Sequence, residues 1–133
     1  MLATTRALPT VKATRWAGRL SSALAILFLA FDSLIKVLNL APAVAATTQL
    51  GYPASLVISL GVVELICLAI ATIPRIAVLG AILLTGYLGG AIATQLRAGS
   101  SLFSIVFPAI IGALIWGGLF LRDERLRALL LRP

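Results

Sequence analysis

The sequence predicts an all-α membrane protein: a four-transmembrane-helix antiparallel bundle with a short interfacial or re-entrant helix between spans 1 and 2. Composition is the first observation. Of the residues, 61% are hydrophobic and only 11% are charged, whereas in a soluble domain roughly half are hydrophobic and roughly a quarter are charged. The second is four apolar runs of about 20 residues, the length that crosses a hydrocarbon core. The third is the total of 133 residues, which leaves only short connections and no second domain.

The first span is predicted at about 16–38. It follows a basic segment without acidic residues, 1–15, which we interpret as a flexible cytoplasmic tail. A cleaved signal peptide is the alternative, because residues 41–43 make an Ala-x-Ala pattern. In that case Asp32 and Lys36 would lie between the apolar core and the cleavage site, so a span is favoured.

The rest of the chain predicts three more spans and a short helix. The segment 39–52 carries no charge and is too short to cross a membrane, so we expect it to form the short helix, starting near Pro42 and stopping at Gly51. Pro74 and Arg75 make a tight turn, which makes spans 2 and 3 antiparallel neighbours. These spans cover about 53–73, 76–96 and 102–121, and a basic amphipathic tail, 122–133, follows.

Small residues and leucines give two further expectations. Gly86 and Gly90 are four apart in span 3 with Gly89 beside them, so a neighbouring backbone could approach closely, within the bundle or in a homodimer. In the tail, Asp123 is expected to start a short helix. The leucines of that helix would share one side, which places it on the membrane surface; they are Leu126, Leu129 and Leu130.

The distribution of Lys and Arg predicts the orientation. One side receives nine basic residues, and outside the spans the other side receives only Arg97. Because cytoplasmic segments carry an excess of Lys and Arg, both termini are predicted to be cytoplasmic, in the cell (inner) membrane. The net charge of +7 lies at span ends rather than on one polar face, so lipid is the expected partner and nucleic acid is not. The nine are Arg6, Lys12, Arg15, Arg19, Arg75, Arg122, Arg125, Arg127 and Arg132.

Three ionisable residues lie inside predicted spans, where each charge costs a few kcal/mol unless it has a partner or a wet cavity. Asp32 and Lys36 are four residues apart, close enough to pair. Glu64 follows Pro53 by eleven residues, about 16 Å into the membrane and too deep to snorkel. Two acids and one base leave one negative charge in excess, which predicts that Glu64 is protonated at neutral pH.

The polar residues of three spans fall in the outer half of the bundle, which predicts a polar pocket open to the outer face or the outer leaflet. On span 3, Tyr87, Thr94 and Arg97 follow one another at spacings of seven and three residues, which places them on one face of the helix. The alternative is purely structural: the ion pair locks the helix register, Lys36 snorkels, and Glu64 bonds an Asn or Thr. The candidate ligand-binding residues are Phe28, Asn39, Tyr87, Thr94, Gln95 and Arg97.

The residue inventory excludes several kinds of site. The chain has no His, which removes His-based zinc sites, haem ligation by His and Ser-His-Asp catalysis. Its single cysteine, Cys67, cannot form an intramolecular disulfide and is interpreted as packing material. No metal site is predicted, and no cofactor is assigned beyond a bound quinone or lipid as a candidate.

The order of these motifs resembles the DoxX-like family of small four-helix membrane proteins. The family is named after a subunit of a membrane thiosulfate:quinone oxidoreductase, so the resemblance implies a redox association. It also implies a His where this chain has Gln95, so the chain lacks a titratable or metal-binding group there. The resemblance covers nearly all of the chain after Trp16 and is carried by GRLSSALAILFLAFDSLIK (18–36), LGYPASLVISLGVVE (50–64), the Pro74–Arg75 turn, ILLTGYLGGAIATQLR (82–97) and WGGLFLRDERLRALL (116–130).

Two functions fit these residues. The first is a carrier or non-catalytic subunit that binds a small lipophilic molecule, such as a quinone, or docks a membrane redox partner. The second is a membrane-embedded enzyme that transfers a proton on an apolar substrate, with Glu64 or Asp32 as acid/base and Lys36 as electrostatic stabiliser. A transporter ranks third, because four helices are few for alternating access. The sequence leaves the first two open.

Overall fold

The computed structural model describes residues 2–131, with side chains from residue 12 onward. In this part of the chain, four helices are long and apolar enough to cross a membrane. The predicted fold class is confirmed, including the short helix between spans 1 and 2. The helices are α1 (Leu2–Val37), α2 (Ala41–Gln49), α3 (Val57–Thr72), α4 (Ala77–Arg97), α5 (Leu102–Arg122) and α6 (Glu124–Leu131), with single 3₁₀ turns at Ala54–Leu56 and Pro74–Ile76.

The main difference in the elements is at the N-terminus. Helix α1 begins at Leu2, so the expectation of a flexible tail over 1–15 is wrong from residue 2 onward. The apolar stretch itself starts at Lys12. Ala, Leu, Arg and Lys make up more than half of residues 2–15, and these strong helix formers let the helix continue beyond its apolar part.

The four long helices form a ring in the order α1, α3, α4, α5, and each contacts two neighbours. Successive spans reverse direction, so every pair of neighbours in the ring is antiparallel. Helix α2 packs against α1 and α3, and α6 packs against α5. The interior is filled by small and aliphatic side chains, among them Ala25, Leu29, Leu84, Ile111 and Ile115.

Glycine allows the closest approach of α3 to α1. A Cβ atom on Gly61 would lie 2.6 Å from the Cβ of Lys36 and 2.8 Å from the backbone nitrogen of Val37. No larger residue fits there unless the helices move apart. Gly80 and Gly118 serve the α3–α4 and α1–α5 contacts in the same way.

The glycines predicted to make such contacts do not make them. A Cβ atom on Gly86, Gly89 or Gly90 would meet no atom within 4 Å. The expectation of close approach within the bundle is therefore wrong for these three residues. The reason is the rotation of α4, which turns Gly86 and Gly90 toward an internal cavity.

Three helices end alike at one end of the bundle, which we call the distal end: there α1 and α4 finish and α3 and α5 begin. Asn39, Gly51 and Gly99 have φ values of 55°, 94° and 68°. Each is followed by a residue whose N–H bonds a carbonyl five positions back, as in Leu40 to Ile35 at 3.0 Å. This is the Schellman arrangement, in which a left-handed residue satisfies the last helix carbonyls.

The C-terminal helix begins as predicted. The Asp123 carboxylate accepts hydrogen bonds from the backbone N–H groups of Arg125 (2.9 Å) and Leu126 (3.2 Å). Its leucines differ in burial, since Leu126 is buried in the core while Leu129 and Leu130 are exposed. Placement of this helix on the membrane surface stays a prediction.

Candidate functional site

A cavity of about 460 Å³ lies in the distal half of the bundle. Pockets for small organic ligands have volumes of roughly 300–1,000 Å³, so this one could hold such a molecule. All four long helices line it, together with α2 and the connection after it. Its lining includes Phe28, Asp32, Lys36, Thr47, Tyr52, Glu64, Gly86, Tyr87, Gly90, Thr94, Gln95, Phe103 and Phe107.

Lys36 is at the centre of the polar side of this cavity. Its ammonium group donates to Asp32 Oδ2 at 2.6 Å, to Glu64 Oε2 at 3.0 Å and to the Tyr87 hydroxyl at 3.0 Å. The Tyr87 hydroxyl in turn donates to Glu64 Oε2 at 3.1 Å. We call these four residues the polar cluster. They link α1, α3 and α4 through one shared set of hydrogen bonds.

The cluster agrees with part of the sequence prediction. Asp32 and Lys36 form the predicted ion pair. Lys36 does not snorkel, since its side chain is only 16% exposed and is directed at two carboxyl groups. The predicted pairing of Lys36 with Asp32 alone is incomplete. Gly61 lies one turn before Glu64 and has no side chain to separate the helices, so Lys36 reaches Glu64 as well.

Glu64 is completely buried and borders the cavity. Its Oε2 accepts hydrogen bonds from Lys36 and Tyr87, whereas the Asn or Thr partner considered from the sequence is not what it contacts. Its Oε1 has no hydrogen-bond partner among the described protein atoms. A buried polar atom left without a partner costs roughly 1–3 kcal/mol, and more when it is charged. This oxygen is therefore the feature of the site that most needs a ligand or a proton.

An aromatic wall faces the cavity from α1 and α5. The rings of Phe28 and Phe107 meet edge to face, with centroids 4.8 Å apart, and Phe103 lies 5.4 Å from Phe107. Phe103 and Phe107 were not among the residues predicted to line the site. Phenylalanines in an apolar span carry no signal that separates the lining of a cavity from a lipid-facing surface.

Tyr52 covers the cavity at its distal end and was also missed. Its hydroxyl lies 2.9 Å from the Thr94 hydroxyl, joining the α2–α3 connection to α4. The sequence offers one indication of this role, which is an aromatic residue directly after Gly51, at the point where the chain returns to the bundle. An aromatic residue at such a point is also typical of an interfacial anchor.

The predicted ligand-binding residues divide into two groups. Phe28, Tyr87, Thr94 and Gln95 border the cavity, but Asn39 and Arg97 do not. Asn39 instead adopts the left-handed conformation that ends α1. Arg97 is the exposed last residue of α4.

Comparison with known proteins matches most of the chain to a family. The model of the DoxX-like family matches residues 20–118. No curated protein and no solved structure matches the chain. The matched segment contains the polar cluster and all residues that line the cavity.

Proposed function

This chain belongs to the DoxX-like family and is an integral membrane protein, and we propose that it binds a small lipophilic molecule in the distal cavity. The observation that carries the proposal is a cavity of about 460 Å³ with an aromatic wall on one side and a buried polar cluster on another. An apolar body would pack against the phenylalanines, and a polar head group would meet Glu64. Binding sites of this kind are mostly apolar with a few placed polar groups.

The position of the polar cluster favours a small molecule over a docked redox protein. Glu64 is fully buried and the Lys36 side chain is 16% exposed, so a protein surface would not reach them. A quinone is the ligand that the family resemblance suggests. A membrane lipid is the other candidate.

A membrane-embedded enzyme is the second candidate, because Glu64 and Tyr87 lie 3.1 Å apart beside the cavity and Glu64 keeps one unpartnered oxygen. General acid–base catalysis needs a carboxyl group within hydrogen-bond reach of its substrate. Glu64→Gln separates the two functions. The variant would keep an uncharged ligand in the cavity while losing any proton transfer.

The test is a cavity-filling substitution in protein reconstituted into lipid nanodiscs. The probes are a benzoquinone with a decyl tail and small naphthalene derivatives, and binding is measured as saturable uptake by the protein above that of empty nanodiscs. Gly90 borders the cavity and has room for a side chain, so Gly90→Leu would fill it without displacing backbone. We expect affinity for the probes to fall at least about tenfold.

Gly89 supplies the matched control. A Cβ atom there would also meet open space, but Gly89 does not border the cavity, so Gly89→Leu should bind as the wild type does. The proposal would be wrong if no probe bound saturably to the wild type. It would also be wrong if Gly90→Leu bound as tightly as Gly89→Leu.

A further inference from the structure

When Glu64 is ionised, the polar cluster has no hydrogen-bond donor left for a ligand at its centre. A lysine ammonium has three N–H groups, and those of Lys36 go to Asp32, Glu64 and Tyr87. The single O–H of Tyr87 is donated to Glu64. A ligand that offers only acceptors, as a quinone does, would therefore find no free donor among these groups.

The unused capacity of the cluster is an acceptor. Glu64 borders the cavity, and its Oε1 is buried and has no partner among the described protein atoms. A ligand that donates a hydrogen bond to this oxygen would satisfy it. The geometry of the cluster thus selects for a donor on the head group.

The charges of the cavity point to a cationic donor. Among the residues that border the cavity, Asp32 and Glu64 are acidic and Lys36 is the single basic residue. Two carboxylates against one ammonium leave one negative charge in excess within the membrane-spanning part of the bundle. Such an excess is costly inside a membrane unless a proton or a cation balances it.

We propose that the distal cavity selects lipophilic amines in their protonated form, an inference that rests on the proposed function. One ammonium N–H would bond Glu64 Oε1, and the positive charge would balance the second carboxylate. The apolar body would lie against Phe28, Phe103 and Phe107, whose ring faces also attract cations. A hydroxyl group supplies only the donor, and a quaternary ammonium only the charge; a protonated amine supplies both.

The test compares four probes with the same naphthalene body in wild-type nanodiscs. They are naphthylmethylamine, naphthylmethanol, naphthylmethyl-trimethylammonium and acetylnaphthalene, measured at a pH at which the amine is protonated. Hydrogen bonds between charged groups are substantially stronger than neutral ones. We expect the amine to bind about tenfold or more tighter than each of the other three, after subtraction of the uptake by Gly90→Leu nanodiscs.

Glu64→Gln identifies the group responsible, because the amide keeps the size of the side chain and removes its charge. We expect the amine to lose its advantage over the alcohol in this variant, because both probes then meet an uncharged amide. Equal affinity of wild type for the amine and either neutral probe would overturn the amine proposal, while the sensitivity of these probes to Gly90→Leu would still support a lipophile-binding cavity. Loss of saturable binding for all four probes and the quinone would contradict the proposed function itself.

Discussion

Lys36 lies between two carboxyl groups that would repel each other without it, at 2.6 Å from Asp32 and 3.0 Å from Glu64. Lys36→Met keeps most of the side-chain length but leaves both acids without a cation. Removing one partner of a buried ion pair costs roughly 3–5 kcal/mol. We therefore expect Lys36→Met to lower the thermal midpoint in detergent much more than Asp32→Asn does.

The double variant Asp32→Asn/Lys36→Met provides the control at the same residues. It leaves only Glu64 as an unpaired acid, so its loss of stability should be smaller than the sum of the two single losses. A double-mutant cycle measures this difference as a coupling energy. Strictly additive losses would show that Asp32 and Lys36 do not interact in the membrane protein.

The excess negative charge predicts a bound proton when no cation is present. Glu64 is fully buried, whereas Asp32 is partly exposed, so we expect the proton on Glu64 at neutral pH. The titratable groups that face Glu64 are Asp32 and Lys36 on α1, Tyr87 on α4 and Cys67 one turn along its own helix. Difference infrared spectroscopy should show a protonated-acid band that Glu64→Gln removes; Asp32→Asn should weaken the band, because Glu64 and Lys36 then balance each other's charge. If the wild type has no such band, Glu64 is an ordinary ion-pair partner.

At the scale of helices, the contact between α1 and α3 depends on Gly61, because it brings Lys36 within reach of Glu64. Gly61→Ala would place a methyl group against the backbone nitrogen of Val37, at 2.8 Å, so the helices must separate. Overpacking of this kind costs typically about 1–3 kcal/mol. We expect a lower thermal midpoint and weaker amine binding. Gly86→Ala is the control, since its methyl group has open space, and equal midpoints for the two variants would contradict this account.

The helices themselves could be predicted from the sequence, because hydropathy and length decide which segments cross a membrane. The short helix and the start of α6 could be predicted as well, since Pro42, Gly51 and Asp123 act through local backbone geometry. The rotation of each helix about its own axis could not be predicted. Glycines at four-residue spacing in span 3 suggest a contact face, yet Gly61, Gly80 and Gly118 make the close contacts while Gly86 and Gly90 face the cavity.

The candidate site was predictable where a charged or polar residue stood in an apolar span, and for Phe28 through its four-residue spacing from Asp32. Asp32, Lys36 and Glu64 stand out in apolar spans because each needs a partner there, and the structure brings all three together. Phe103 and Phe107 carry no such mark. Their place at the cavity depends on which face α5 turns toward α1, and this depends on packing along the whole helix.

At the scale of the whole molecule, the arrangement is partly the reverse of that in a soluble protein, where apolar side chains are buried and charged side chains are exposed. Side chains such as Leu27, Phe31 and Leu102 are well over half exposed, while Glu64 is completely buried. In water, an apolar surface of this extent would drive association. In a bilayer it contacts lipid, and the polar cluster is kept in the interior, where its partners are.

The orientation of the bundle is the last prediction, and it determines from which side the cavity is approached. The connections at the distal end carry only Arg97, whereas the opposite end carries nine basic residues. By the positive-inside rule, the distal end faces away from the cytoplasm. In a Cys67→Ala background, single cysteines at Thr48 and Ser100, both in distal segments, should react with an impermeant thiol reagent added to intact cells. Cysteines at Thr5 and Arg132 should react only after lysis; labelling of either terminus in intact cells would invert the bundle and place the cavity on the cytoplasmic side.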